Sequence, residues 1–279
     1  MYISDELITS LKRNRVIPFV GAGVSMNLGL PSWSELVSRM ASELDFDPGK
    51  FQSYGDFLEL AEYYELKKGS IGPLRSWMNV NFHSPKINIG DSLIHKIIAH
   101  FNFHIIYTTN YDRWLEKAFE YYKIDYIKMT GIYDLTKPTS GKTQIIKFHG
   151  DFDDDTSIVL TESSYFKRLG FEEPLDMKLR SDVLGRSLLF IGYSLSDLDI
   201  RYLLYRLNML WEGANESVRP RSYIFMLAGN PVKTEVLRKR GIDTICSDIE
   251  NPKEALEDFL MKLYSEVHGE LPEKTPKKT

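Results

Sequence analysis

The sequence predicts an α/β fold in which a parallel sheet is covered by helices on both faces. Short apolar runs, the first of them rich in β-branched residues, alternate along the chain with segments of helical periodicity. These runs lack the polar–apolar alternation of a half-exposed strand, which indicates strands buried on both sides. The first run ends in a Gly-Ala-Gly turn, where the missing side chains would let a ligand or another chain segment approach the backbone closely.

The N-terminal elements are predicted to be a helix, a buried strand and a second helix. Ser4 is placed to cap a helix over residues 4–13, which carries apolar side chains on one face. A short β-branched run predicts a strand over residues 15–20. After the glycine turn, Ser32 and Glu35 have the spacing of a capping box, so the next helix is expected to begin there.

The segment over residues 45–100 is predicted to be a helical insertion, because it contains no strong strand pattern. Its clearest helices are expected over residues 56–68 and 91–100. Residues 1–270 are predicted to form a single domain that contains this insertion. Residues 271–279 are predicted to be a disordered tail.

Alternation of strands and helices resumes in the second half of the chain. Strands are predicted over residues 104–110, 143–150, 186–194, 221–228 and 243–247. Helices are predicted over residues 112–122, 174–184, 196–211 and 233–240, with a last helix starting at Asn251-Pro252. Strands connected by helices pair in parallel, so a sheet with helices on both faces follows.

Composition and charge exclude several classes of function. The chain has 279 residues, of which 43% are hydrophobic, and a net charge of −4. This charge argues against direct nucleic-acid binding, which needs clustered cations. The single cysteine, Cys246, excludes an internal disulfide and a four-cysteine zinc site. We find no signal pattern and no apolar stretch near the roughly 20 residues of a membrane helix, so a cytoplasmic protein without membrane contact is expected.

Glycines and polar residues follow four of the predicted strands. These strand ends read Gly21-Ala22-Gly23-Val24-Ser25, Thr108-Thr109-Asn110-Tyr111-Asp112, Lys147-Phe148-His149-Gly150 and Gly192-Tyr193-Ser194. Ligands of open α/β sheets bind at the carboxyl ends of the strands, so these residues are expected to form one site. The glycines would let backbone N–H groups approach a pyrophosphate, and Ser25 would add a hydroxyl donor.

Each motif alone allows other interpretations. Met26 occupies the third glycine position of a dinucleotide-binding fingerprint, and the acidic residue about 20 positions later is missing, which speaks against a dehydrogenase. The turn at Ser194 resembles part of a nucleophile elbow, but Ser196 replaces its last glycine. Asn110 also fits a helix cap, and a lone His149 also fits a structural role.

The acidic run after His149 has two interpretations. Asp151, Asp153, Asp154 and Asp155 would suit a cation site. They would equally suit a solvated loop, which is the commoner role of such charge runs and the one we predict.

In combination and in this order, the four strand ends resemble the sirtuin fold, and more closely the sirtuin-like NAD hydrolases of bacterial anti-phage defence systems. The resemblance covers about residues 10–250 and implies a Rossmann-type parallel sheet with an inserted helical module and no zinc module. Protein-deacylating sirtuins carry Gln where this chain has Thr109, and a Pro-Asp-Phe-Arg-like segment where it has Pro31-Ser32-Trp33-Ser34. These departures favour the defence branch, which cleaves NAD.

The resemblance implies an NAD+ glycohydrolase that releases nicotinamide and ADP-ribose, with NAD+ as substrate and no metal. It assigns Asn110 and His149 as the catalytic residues. The amide of Asn110 suits the orientation of a ribose hydroxyl or a water, and the imidazole of His149 suits proton acceptance. Asp112 would bind the nicotinamide amide or support its loop. The residues expected to bind the dinucleotide are Gly21, Ala22, Gly23, Ser25, Asp112, Gly192 and Ser194.

The resemblance also implies partners and leaves alternatives open. An NAD-cleaving effector of abortive infection must be controlled, so a partner protein or activation by assembly is expected: a co-encoded ATPase/helicase, an Argonaute-like protein or a homo-oligomer. The alternatives are a sensor that binds NAD or ADP-ribose without cleaving it, and an NAD-dependent protein deacylase.

Overall fold

The computed structural model describes residues 1–154, 157–170, 172–195, 197–211 and 219–271. The strands are β1 (Val16–Val20), β2 (Ile105–Thr108), β3 (Tyr126–Met129), β4 (Thr143–Lys147), β5 (Ser187–Ile191), β6 (Ser222–Met226) and β7 (Ile242–Cys246). They form one sheet in the order β3-β4-β2-β1-β5-β6-β7, and every neighbouring pair is parallel. The predicted fold class, a parallel sheet flanked by helices, is confirmed.

Helices connect the strands. The described α-helices are α1 (Asp5–Lys12), α2 (Ala22–Met26), α3 (Trp33–Glu43), α4 (Pro48–Gln52), α5 (Phe57–Lys68), α6 (Gly72–Phe82), α7 (Leu93–His100), α8 (Trp114–Tyr121), α9 (Glu162–Arg168), α10 (Pro174–Val183), α11 (Leu198–Leu210), α12 (Pro231–Lys239) and α13 (Pro252–His268). Short 3-10 helices occupy Ile89–Asp91 and Ile132–Thr136. None of the helices in the described part of the chain combines the length and apolar character needed to cross a membrane.

The predicted helix starts are confirmed by their side-chain caps. The Ser4 hydroxyl accepts the N–H of Leu7 at 3.3 Å at the start of α1. At the start of α3, the Ser32 hydroxyl accepts the N–H of Glu35 at 3.3 Å, and the Glu35 carboxylate accepts the N–H of Ser32 at 2.7 Å. These reciprocal bonds satisfy donors that have no acceptor within the helix.

Among the strands of the described residues, β3 is the one that the sequence did not predict. It lies at the edge of the sheet and pairs only with β4. Its residues Tyr126, Ile127 and Lys128 are half-buried, and Met129 is buried. A four-residue edge strand with a lysine in it lacks the continuous apolar run that identifies the central strands.

Alternate residues of the strands enter two cores. One core lies between the sheet and α1, α7, α8 and α13, and strand residues such as Val20, Ile106 and Ile145 point into it. The other lies under α10, α11 and α12, and receives strand residues such as Phe19 and Ile146. The central strands are therefore buried on both faces, as their apolar runs predicted.

A third core belongs to the helices between β1 and β2. Its buried residues include Leu36, Met40, Phe51 and Leu60 from α3, α4 and α5. Helix α7 lies within the predicted insertion over residues 45–100, but it packs with α8 and α13 in the first core. The division into one domain with an insertion stays a prediction. The predicted disordered tail, apart from its first residue, lies outside the described residues.

The direction of strand order reverses between β1 and β5. Strands β2, β4 and β3 lie on one side of β1, whereas β5, β6 and β7 lie on the other. The connections leaving β1 and β5 therefore diverge, and a crevice opens between them at the carboxyl ends of the strands. Open α/β sheets bind their ligands at such a switch point.

Candidate active site

A cavity of about 540 Å³ opens at the switch point. The predicted site residues that line it are Ala22, Gly23, Ser25, Asn110, Asp112, His149, Gly192 and Ser194. The remaining predicted residue, Gly21, lies behind the wall, where its carbonyl accepts a hydrogen bond from Asn110. Residues from the ends of β1, β2, β4 and β5 are thus brought to one cavity, while their roles stay predictions.

The glycines let two loops of the site close on each other. The N–H of Gly23 donates to the carbonyl of Gly192 at 2.8 Å, and the N–H of Gly21 donates to the carbonyl of Ile191 at 2.9 Å. A Cβ on Gly23 would lie 2.8 Å from the Gly192 oxygen. Gly192 has a φ of +60°, and a Cβ there would lie 2.6 Å from the N of Val24. The missing side chains make room for protein backbone.

This packing changes the expected phosphate contacts. The N–H groups of Gly21 and Gly23 are already bonded within the protein, so they differ from the free donors that the sequence predicted. Ala22 is the first residue of α2, and its N–H has no acceptor within that helix. Of the three backbone donors in the turn, that of Ala22 is the one suited to an anionic ligand.

Asn110 is fixed where these loops meet. Its Nδ2 donates to the Gly21 carbonyl and to the Ser25 hydroxyl, both at 3.1 Å. Its backbone N–H donates to the hydroxyl of Thr108 at 3.1 Å. Both amide hydrogens are occupied, so the side-chain carbonyl oxygen is the group suited to a ligand or a water. Ser25 supports Asn110, a role that the sequence did not predict for it.

His149 is oriented by a buried carboxylate. Its Nε2 lies 2.8 Å from Oδ2 of Asp199, and both side chains are buried. Burial raises the pKa of Asp199, but the charge of His149 and the hydrogen bonds from His149 and the N–H of Ile200 outweigh it, so this pKa lies below its usual value. When the ring is neutral, an ionised Asp199 accepts the Nε2 proton, and Nδ1 is then the nitrogen that can accept a proton.

Tyr165 lies beside Nδ1 of His149 and connects it to a second aspartate and a second tyrosine. The Tyr165 hydroxyl lies 3.5 Å from Nδ1 and donates to Asp197 at 3.1 Å. The Tyr193 hydroxyl donates to the other oxygen of Asp197. Burial raises the pKa of both tyrosines, so both hydroxyls stay protonated at neutral pH. All four residues line the cavity.

Three of these residues were missed by sequence reasoning. Asp197 is the N-cap residue of α11, without a side-chain capping bond, and Asp199 lies in the first turn, directly after a strand end that was singled out. Two acidic residues at this place were a usable signal. Tyr165 lies on α9, and nothing in the local sequence indicates that this helix reaches His149.

Asp112 is engaged in supporting its loop. Its Oδ1 accepts the N–H of Trp114 at 3.0 Å at the start of α8, and its backbone carbonyl accepts the ammonium of Lys147. Both contacts fit the support role, which was one of its two expected roles. The residue also lines the cavity, so contact with a ligand stays a prediction.

A second charged cluster lies buried behind the cavity. The Lys147 side chain is 1% exposed, and its ammonium lies 3.2 Å from Glu116 and 3.5 Å from Asp151. Burial raises the pKa of Glu116, and the charge of Lys147 opposes this shift. The solvated-loop prediction is wrong for Asp151, which is fully buried. Asp153 and Asp154 are exposed as predicted, and Asp155 lies outside the described residues.

Comparison with known proteins shows the family to which the chain belongs. A family model described as a SIR2-like domain matches residues 104–245. NAD(+) hydrolase ThsA of Bacillus cereus is 32% identical over 76% of this chain and 44% of its own length. Defense-associated sirtuin 2 of Bacillus subtilis is 30% identical over 71% of this chain and 20% of its own length. The chain thus spans less than half the length of these relatives.

A solved structure supports the fold. A Sir2 homolog in complex with NAD has a TM-score of 0.54 to this chain, covering 95% of this chain and 96% of its own. The two sequences are 11% identical, so this likeness concerns the fold alone.

Proposed function

Because the chain belongs to the SIR2-like domain family, we propose that it is an NAD+ glycohydrolase that releases nicotinamide and ADP-ribose in anti-phage defence. Relatives at about 30% identity are named NAD(+) hydrolase and defense-associated sirtuin. The observation that carries the proposal is that Asn110 and His149 line one cavity with the glycine turn, at the switch point of the sheet.

The reaction breaks the bond between nicotinamide and ribose. The departing pyridinium carries a positive charge, so it leaves without protonation by an acid. The transition state resembles an oxocarbenium ion, as in glycoside hydrolysis. The protein therefore has to orient the ribose, accept a proton from the attacking water and tolerate positive charge at the sugar.

His149 is the proposed general base. Its Nδ1 accepts the proton of the water, and the carboxylate of Asp199 stabilises the imidazolium that results. Asp199 is a positioning residue in this scheme, because it acts through His149. The carboxylate of Asp197 also lies next to Tyr165 and the cavity, where negative charge favours an oxocarbenium ion.

Asn110 is proposed to orient the ribose. Its amide nitrogen is held by the Gly21 carbonyl and the Ser25 hydroxyl, so the side-chain oxygen is fixed and accepts a ribose hydroxyl or the water. An amide does not titrate, so this contact persists over the working pH range.

The test is release of nicotinamide from NAD+ by the full chain, measured by chromatography at several protein concentrations. The wild type is expected to release nicotinamide, whereas Asn110→Ala and His149→Ala are expected to lose at least about 100-fold in rate and to stay folded. Wild-type rates in both variants would refute the role assignment. Binding of NAD+ without release would indicate a sensor, and release dependent on an acetyl-lysine peptide would indicate a deacylase.

The proposal extends to partners and location. We propose a cytoplasmic effector whose activity is controlled by activation on self-association or by a co-encoded ATPase/helicase or Argonaute-like protein. Light scattering across protein concentrations, compared with the rate of nicotinamide release, tests self-association. Co-purification with the product of the neighbouring gene tests the other partner.

A further inference from the structure

The side chains that line the cavity are charged unevenly. Asp197 lies on the His149 side, where it accepts the hydroxyl of Tyr165. Lys233 lies on the opposite side, on the helix that follows β6. Of the described residues that line the cavity, Lys233 is the sole lysine or arginine.

Lys233 is held in place at both ends of its side chain. Its backbone N–H donates to the Asn230 side chain at 2.9 Å in the first turn of α12. Its ammonium donates to the carbonyl of Ser194 at 2.7 Å, so the side chain reaches from the β6 side of the sheet back to the loop after β5. An ammonium has three hydrogens, and this bond uses one of them.

The contact with Ser194 places the ammonium next to the centre of the crevice. Ser194 lies two residues after Gly192, whose carbonyl accepts the N–H of Gly23 from the glycine turn. The centre of a dinucleotide is its diphosphate, and one nucleoside lies on either side of it. His149 follows β4 and Lys233 follows β6, and these strands are four spacings of about 4.8 Å apart.

We propose that the ammonium of Lys233 binds the diphosphate of the dinucleotide, an inference that rests on the proposed function. The two phosphates are anionic and the nicotinamide ring is cationic. The ring is therefore drawn to the side of Asp197 and His149, while the diphosphate is drawn to Lys233. The charges of the cavity thereby set the direction in which the substrate lies.

The test compares variants of one helix in binding ADP-ribose by calorimetry. Lys233→Met is expected to weaken ADP-ribose binding about 10- to 100-fold, since it removes a charged hydrogen-bond donor. Lys233→Arg is expected to retain most of the affinity. Lys239→Met, at an exposed position at the end of α12, serves as the control and is expected to bind like the wild type.

Two further readouts separate a lost charge from a damaged fold. High salt is expected to weaken ADP-ribose binding by the wild type more than by Lys233→Met, because only the former carries the screened charge. In NAD+ cleavage, Lys233→Met is expected to raise KM by about the factor lost in ADP-ribose affinity and to change kcat by less than about threefold.

Several results would overturn the inference. They are equal ADP-ribose affinity in Lys233→Met and wild type, or an equal salt dependence of that affinity in the two proteins. A wild type that binds ADP-ribose through Lys233 but releases no nicotinamide would contradict the proposed function alone. Normal cleavage with unchanged KM in Lys233→Met would contradict the inference alone.

Discussion

Lys147 and His149 lie two residues apart at the end of β4. Each is buried against carboxylates, but only His149 lines the cavity. Lys147 contacts Glu116 and Asp151 behind the sheet end, and none of these three side chains lines the cavity. His149 pairs with Asp199 and does line the cavity. The Lys147 cluster has no contact with the cavity and suits a structural role. In the second pair, Nδ1 of His149 remains able to contact a ligand.

The largest effect is expected from breaking the Lys147 cluster. Lys147→Met leaves the buried carboxylate of Glu116 without its cation, so the free energy of unfolding is expected to fall by about 3–5 kcal/mol in urea denaturation. Asp151 keeps its ion pair with Lys128 at 3.4 Å. Lys262→Met is the control, because Lys262 pairs with Asp258 at the surface at 2.8 Å and its loss is expected to cost at most about 1 kcal/mol. Equal losses in both variants would contradict the structural role of the cluster.

A pH effect is expected from His95, on the same side of the sheet as Lys147. Its side chain is fully buried in α7, and burial lowers its pKa to about 4, below the 6.5 of the unfolded chain. The unfolded state binds the extra proton between these values, so the free energy of unfolding falls as pH drops from about 6.5 to 4. The contribution amounts to about 3 kcal/mol.

Urea denaturation between pH 7 and 4 measures this loss. His95→Phe carries no titrating ring, so its unfolding free energy is expected to fall by about 3 kcal/mol less over the same range. Parallel curves for the variant and the wild type would show that His95 titrates normally in the folded protein.

A change at the His149–Asp199 pair is expected to lower the rate of nicotinamide release more than the stability of the fold. Asp199→Asn offers an amide hydrogen to Nε2 of His149, which moves the ring proton to Nδ1, the proposed acceptor. We expect kcat for nicotinamide release to fall about 100-fold, with little change in KM. The loss of unfolding free energy is expected to be smaller than in Lys147→Met. A variant with wild-type kcat would remove Asp199 from the mechanism.

The smallest effect is expected where the loops of the site meet. Gly192→Ala places a Cβ at a φ of +60°, 2.6 Å from the N of Val24. The strain is expected to lower the free energy of unfolding by about 1–2 kcal/mol and to weaken ADP-ribose binding, as the two loops separate. Gly185→Ala is the control, since a Cβ there meets nothing within 4 Å. If both variants unfold with the same free energy, the packing of these two loops is not as described.

The central sheet was predictable because its strands are buried on both faces. Continuous apolar runs identified β1, β2, β4, β5 and β6, and the capping residues Ser4 and Ser32 marked two helix starts. Strand β7 was also predicted, although it lies at the other edge of the sheet and is only partly buried. Strand β3 was missed because it lies half-buried at the edge and carries Lys128. Strand β3 is stabilised by its pairing with β4, and the local sequence alone does not indicate this contact.

The site was predictable to the extent that it lies at strand ends. Asn110 and His149 were found because they follow buried strands, which determine where they point. Tyr165 was not found because it reaches His149 from α9, and Asp151 was misjudged because its partner Lys147 comes from inside the strand. Such contacts depend on how helices and loops fold back over the sheet.

The most direct test of the central claim is the position of ADP-ribose in a crystal structure of its complex with this protein. We expect the free ribose to lie between the side chains of Asn110 and His149, with the diphosphate at Ala22 and Lys233. ADP-ribose bound in the reverse direction, or outside the cavity between β1 and β5, would contradict it.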